Sequence, residues 1–279
     1  LERYAGAEGE THGCLHLLES LATVKSAVIL VELAAQGLAG AAALLGELFA
    51  GLLTAVRPEH PSAVQNWVLD VLAACLEECA GAGPPPAVLD ACLACLLPAN
   101  KAENLASYQI AQMLLARSLE TVQGPISQFL QGAVVGGGVG AGGELLRSEL
   151  VEHAYPLIYE LHKVDTRLLL YALPAVATQL QSEETEARAQ AVALLGRLFA
   201  SSHAEYGRDY AKNFQEFLGR FKDCDVSVRT QMLTIGAVLL RKKPGLREEV
   251  ARHMALRLQD PDAGCRLTAA RELLGAAAR

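Results

Sequence analysis

The sequence predicts an all-α chain of paired antiparallel helices, and three observations carry that expectation. The apolar fraction, 52% of 279 residues, is supplied mainly by Ala and Leu, with aromatics at only 5%. That mix favours helices over strands, which draw on β-branched and aromatic residues. Apolar runs of helical length alternate with short polar turns marked by Gly or Pro. Finally, three segments repeat one another: "LQSEETEARAQAVALLG", "FKDCDVSVRTQMLTIGA" and "LQDPDAGCRLTAARELL".

The repeats align on Arg188, Arg229 and Arg266, spaced 41 and 37 residues apart. Each arginine has an apolar residue eight places earlier (Leu180, Phe221, Leu258) and a Ser or Asp six places earlier (Ser182, Asp223, Asp260). A helix ending at the apolar position, a polar turn, and a second helix with an early arginine are the signature of HEAT-type repeats. One such pair cannot bury its apolar face alone, so neighbours must stack into an α-solenoid. The polar turn residue is expected to cap the incoming helix, and the arginine to bridge to the acidic turn of an adjacent repeat. Arg188, Asp223, Arg229, Asp260 and Arg266 are therefore read as structural.

Upstream the repeat degenerates while the helix and turn rhythm persists. "CLHLLESLATVKSAVILVELA" and "AGAAALLGELFAGLLTAV" form one pair, and Arg57 to Pro61 turns the chain into "SAVQNWVLDVLAACLEECA". "GAGPPPAVLDACLACLLPA" places prolines at a helix start, where a missing N–H is harmless. "LASYQIAQMLLARSLETV" and "PISQFLQGAVV" follow, then a glycine run, "ELLRSELVEHAYPLIYELHKV", and "DTRLLLYALPAVATQL" capped by Asp165. The whole makes about six antiparallel pairs, given a repeat of about 40 residues. In domain terms, residues 1–135 are N-terminal HEAT-like repeats, 136–143 a Gly-rich inter-helical loop, and 144–279 further repeats of the same solenoid.

That loop, in "VVGGGVGAGGELL", spells a dinucleotide-binding pattern through Gly138, Gly140 and Gly143. The chemistry needs a strand before the turn and parallel strands around it, so that backbone N–H groups meet a pyrophosphate at a helix N-terminus. Two valines do not make a strand, and an inter-helical loop is the reading preferred to an NAD-binding enzyme.

Other chemistry is weighed in the same way. Cys75, Cys79, Cys92 and Cys95 have the spacing of a four-thiolate zinc site, but their neighbours are helical and apolar rather than the turns of a zinc knuckle. His12 and His16, with Cys14 between them, lack a third ligand nearby. Seven cysteines, an odd number, mostly in apolar runs, suit reduced buried thiols rather than an exported disulfide framework. No nucleophile elbow, carboxylate pair or P-loop suggests an enzyme, and no cofactor is expected. The apolar stretch 27–56 is interrupted by Glu32, Gln36, Gly40 and Glu47, so a soluble chain is expected. Starting at Leu1 without a leader pattern, it reads as a segment of something longer.

Charge supplies the last lead. Residues 188–279 hold 16 Lys/Arg against 10 Asp/Glu, a net of +6, while residues 1–187 hold the remaining 8 against 21, a net of −13. Lys212, Arg220 and Lys222, with Arg241, Lys242, Lys243 and Arg247, are the candidate contacts for an acidic or polyanionic partner. The alternative for Arg241 to Lys243 is a cationic helix end that complements the dipole.

Much of the chain also resembles, in order, the Pds (precocious dissociation of sisters) family of cohesin regulators. The resemblance is carried by "LLESLATVKSAVILVEL", "LLPANKAENLASYQIAQMLLARSLETVQGPISQFL", "LVEHAYPLIYELHKVDTRLLLYALPAVATQLQSEETEARAQAVALLGRLF", "FLGRFKDCDVSVRTQML" and "LQDPDAGCRLTAARELL". It implies part of a longer HEAT-repeat hook that binds the kleisin subunit of cohesin, recruits the Wapl release factor and maintenance factors, and works in the nucleus on chromatin as a scaffold. The Gly-rich loop and "GAGPPP" depart from the family pattern, and the family's Wapl-type peptide site lies partly before the region matched here. A HEAT-repeat adaptor in transport or signalling shares the fold and would differ in its partners.

Overall fold

A computed structural model describes residues 31–37, 40–81, 83–135, 145–169, 172–203 and 205–277. Among these the regular structure is helical throughout, with fifteen α-helices between Ala41 and Ala277 and no strand. Cys14, His12, His16 and the Gly138–Gly143 pattern lie outside the described residues. The chain forms two compact units; the main division falls after Leu168, and Val134 and Val135, the last two residues of the helix Leu119–Val135, group with the second.

The first unit contains α1 (Ala41–Ala55), α2 (Ser62–Glu78), α3 (Pro86–Ala94), α4 (Pro98–Glu103), α5 (Leu105–Arg117), α6 (Leu119–Val135), α7 (Leu145–Glu152) and α8 (Ala154–Val164). Helix α1 buries Leu45, Phe49, Leu52 and Leu53, a stripe at helical spacing. Within that stripe Gly46 lets α3 approach closely, because a Cβ on it would stand 2.5 Å from the Cβ of Ala87. Pro86 opens α3 at its first helical position, where its lack of an N–H leaves no bond unmade.

Buried Asn104 starts α5 and ties it to α1. Its Oδ1 accepts from the Ser107 N–H at 3.2 Å, while its Nδ2 donates to the Val56 carbonyl at 2.6 Å. The stretch "ELLRSELVEHAYPLIYELHKV", continuous in the sequence reading, is two helices meeting at His153. Pro156 explains the break. Its ring would clash with the Glu152 carbonyl in a continuous helix, but in the first turn of α8 it is tolerated.

The second unit is a stack of helix pairs: α9 (Ala172–Gln179) with α10 (Thr185–Phe199), then α12 (Ala211–Gly219) with α13 (Val226–Lys242), then α14 (Arg247–Leu256) with α15 (Ala263–Ala277). The short α11 (Tyr206–Asp209) leads into α12. Phe199 lies edge-on to Phe214 and Phe217, with ring centroids 5.0 and 5.2 Å apart. Glycine again sets the helix spacing: Cβ atoms on Gly196 and Gly236 would stand 2.5 Å from Ile235 and 2.7 Å from Met254.

Candidate functional site

The three turns inside the helix pairs of the second unit are built alike. In each, an aspartate or serine opens the turn and its side chain accepts the N–H two residues on: Glu184 to Ser182 at 3.2 Å, Asp225 to Asp223 at 2.9 Å, and Asp262 to Asp260 at 3.0 Å. The arginine one turn into the second helix folds back on the same loop. Arg188 Nη1 donates to the carbonyls of Ser182 and Glu183, both at 2.9 Å, and Arg229 Nη1 to those of Asp223 and Cys224 at 2.9 and 3.1 Å. Arg266 Nη1 does the same with Asp260 and Pro261 at 2.7 and 2.9 Å.

The remaining edge of the guanidinium reaches the next repeat. Arg188 donates through Nε and Nη2 to both oxygens of Asp223 at 2.9 and 3.0 Å, and Arg229 to both oxygens of Asp260, each at 2.9 Å. Their side chains are 6% and 9% exposed against 0% for each aspartate, so these are buried two-point pairs that fix one repeat on another. A second arginine braces each carboxylate, Arg220 on Asp223 at 3.2 Å and Arg257 on Asp260 at 3.1 Å. Burial is the largest single influence on Asp223 and acts to raise its pKa, but the hydrogen bonds from Arg188, the Asp225 N–H and Cys224, together with the Arg188 charge, outweigh it and hold the carboxyl below its usual range. For Asp260 the Arg229 bonds dominate from the outset and lower it.

The first unit has a polar cluster that sequence reading missed. Glu160, buried on α8, accepts from the Tyr108 hydroxyl at 2.5 Å and from Lys163 Nζ at 2.8 Å to each oxygen, with Lys101 3.6 Å away. Gln112 donates to the Tyr108 oxygen at 2.9 Å. Burial pushes the Glu160 pKa up, while hydrogen bonds from Lys163 and Tyr108 push it down further, so the carboxylate is held ionised. The available signal was an acid beside the buried stripe Leu157, Ile158 and Leu161, a place where a carboxylate needs partners.

The candidate cations do not form one patch. Lys243 is a correction to the sequence reading: its side chain is 8% exposed and its ammonium lies 2.9 Å from Glu205, so it is held inside the fold. Arg220 is committed to Asp223, and Arg247 donates from Nε to the Leu240 carbonyl at 3.0 Å, near the end of α13. Lys212, Lys222, Arg241 and Lys242 remain exposed and carry no ion pair among the described residues. Cys75, Cys79, Cys92 and Cys95 are buried, and burial raises the Cys75 pKa to about 11. The Cys95 thiol donates to the Ala91 carbonyl at 3.3 Å and accepts from Ser107 Oγ at 3.2 Å, as a core side chain does.

Stacked helix pairs, each clamped to the next by a buried arginine and aspartate, define a HEAT-repeat protein. A family model described as "Sister chromatid cohesion protein PDS5 protein" matches residues 11–276. The chain belongs to the PDS5 family. It is 32% identical over 251 residues to the sister chromatid cohesion protein PDS5 homolog A of Homo sapiens, covering 90% of this chain and 18% of that protein. To PDS5 homolog B of Homo sapiens it is 29% identical, covering 90% and 16%. The chain thus spans less than a fifth of the length of these relatives. A solved structure of the Pds5–Scc1 complex shares the fold, with a TM-score of 0.69 at 18% identity over 97% of this chain and 41% of the solved one.

Proposed function

We propose that this chain is a scaffold segment of a cohesin regulator, one that binds the kleisin subunit and thereby controls sister chromatid cohesion. The observation that supports it is collinear membership of the PDS5 family over residues 11–276. It is reinforced by a fold shared with a Pds5 that was solved in complex with Scc1. The role is recognition, not catalysis: rigid, clamped repeats offer an extended surface on which a partner peptide makes many modest contacts. The wider reading includes a Wapl-type release factor and maintenance factors as further partners, nuclear location, and indirect association with chromatin.

Lys212, Lys222, Arg241 and Lys242 are the proposed electrostatic contacts, for an acidic stretch of the kleisin or for a polyanion. The test is retention of a kleisin segment by the full-length protein across a salt series. Retention that weakens as salt rises, and that falls when these four are changed to Ala, supports both partner and surface. No retention at any salt would instead leave a HEAT-repeat adaptor for another partner.

A further inference from the structure

Four arginines share the two buried aspartates, and they use their guanidiniums in two ways. Arg188 and Arg229 hold the turn through Nη1 and grip a carboxylate with the Nε and Nη2 edge. Arg220 and Arg257, each three residues before its aspartate, do the reverse. Their Nη1 takes the carboxylate, at 3.2 and 3.1 Å, and the Nε and Nη2 edge meets no acceptor among the described residues. In both, the Nε is buried without a hydrogen-bond partner. A buried N–H left unpaired is costly, and here the gap recurs at the same place in consecutive repeats. The side chains are 21% and 17% exposed, so the guanidiniums are not sealed from solvent.

The gap at Arg220 occurs although the following pair is already stacked on its own, with the Phe221 ring on His253 of α14 at 6.0 Å. Arg229 spans the two sites, because it bonds the Asp223 carbonyl and the Asp260 carboxylate at once. Equivalent side chains on stacked helices stand about 8–10 Å apart. The neighbouring acids are engaged elsewhere: Asp225 accepts from the Ser227 N–H at 2.7 Å and Asp262 from the Cys265 N–H at 2.8 Å. In the first pair of the unit the same position is Gln179, so the cationic ladder has two rungs.

We propose that Arg220 and Arg257 form a two-rung receptor for an extended segment of a protein partner that carries acidic residues at positions i and i+3. A polyproline II segment has three residues per turn and rises about 3.1 Å per residue, so it sets i and i+3 on one face about 9 Å apart, the spacing of the rungs. A β-strand offers same-face carboxylates about 7 or 13 Å apart and misses it. Each carboxylate takes the open Nε and Nη2 edge in two points, as Asp223 and Asp260 do on Arg188 and Arg229. The receptor is separate from Arg241 and Lys242, which lie at the other end of α13, about 25 Å away. It defines the partner segment by its pattern, and holds whether or not that partner is the kleisin.

Fluorescence anisotropy on the full-length natural protein at low salt tests it, the probe being a labelled proline-rich peptide with two glutamates. The i, i+3 peptide should bind about tenfold more tightly than one of the same composition with the glutamates at i and i+2, which point to different faces. Arg220→Lys and Arg257→Lys keep a charge beside each aspartate but lose the two-point edge, and each should bring the i, i+3 peptide down to the level of the other. Arg241→Ala should leave the preference for spacing unchanged. Phenylglyoxal labelling of the natural protein, read by mass spectrometry, needs no variant: the i, i+3 peptide should shield Arg220 and Arg257. No binding, equal binding of the two peptides, a preference that survives in the lysine variants, or shielding by a DNA duplex and not by the peptide overturns the proposal.

Discussion

Arg229 bonds the carbonyls of Asp223 and Cys224 in its own turn and both oxygens of Asp260 in the next, with only 9% of its side chain exposed. Replacing it with Met keeps the aliphatic stem but leaves a buried carboxylate short of its main partner, a change that costs about 3–5 kcal/mol. Thermal unfolding should register this as a fall in Tm of more than about 10 °C. The same pairs predict an acid limit. Asp223 and Asp260 have folded pKa values below the ordinary Asp value of about 3.9, so their contribution is complete above that pH. It is lost as pH falls below about 3.9 and through the folded values, because protons then favour the unfolded chain. Urea midpoints followed from neutral pH into this range should drop steeply in the natural chain and less steeply in the Asp223→Asn, Asp260→Asn variant. An equal slope would mean that other carboxylates govern the acid transition.

At the scale of the helix, close packing and capping decide which small residues matter. Gly46 and Gly132 both sit within helices, yet a Cβ on Gly46 would meet the Ala87 backbone carbon at 3.2 Å as well as its Cβ, while a Cβ on Gly132 meets nothing within 4 Å. Gly46→Ala should therefore destabilise by about 1–3 kcal/mol by forcing α1 and α3 apart, and Gly132→Ala should stabilise by about 0.5–1 kcal/mol through reduced freedom of the unfolded chain. Chemical denaturation of the two variants checks the opposite signs. Asn104→Ala removes a cap and strands the Val56 carbonyl, a loss of about 1–3 kcal/mol by the same measurement. These elements differed in how far the sequence revealed them. The arginine register was legible because the same spacing to an apolar residue and to a Ser or Asp occurs three times, and each repetition restates one geometric need. The break at His153 was hidden by an unbroken apolar rhythm on either side of Pro156. The Glu160 cluster was hidden because Tyr108 and Lys101 are far from it in sequence, and only tertiary packing brings them together. Lys243 was misread since its three-residue basic run gives no sign that one of the three side chains is buried and paired with Glu205.

Over the whole molecule, positive charge clamps the fold and, in the proposed function, also meets a partner, and ionic strength distinguishes the two. The buried cations Arg188 and Arg229, each on a fully buried aspartate, hold the second unit together where salt penetrates little, while Lys243 buries its stem and meets a Glu205 that is largely exposed. The exposed ones, Lys212, Lys222, Arg241 and Lys242, lie in the net-positive last third of the chain, and charges of that kind add little to stability; in the proposed function they attract an acidic partner from a distance. Raising NaCl to about 0.5 M should therefore leave Tm nearly unchanged while weakening partner binding. Changing the four exposed cations to Ala should shift Tm by no more than about 1 °C, yet lower affinity at low salt and flatten its salt dependence, so that variant and natural chain converge as salt rises. Calorimetric melting and a binding isotherm at two salt concentrations measure both halves of this prediction. A fall in Tm as large as that of Arg229→Met would make these residues part of the clamp system, whereas an unchanged salt slope would place the partner on another face of the repeats. Because the clamps fix the helix pairs whether or not a partner is present, loss of binding without loss of stability is the outcome that a rigid recognition scaffold requires.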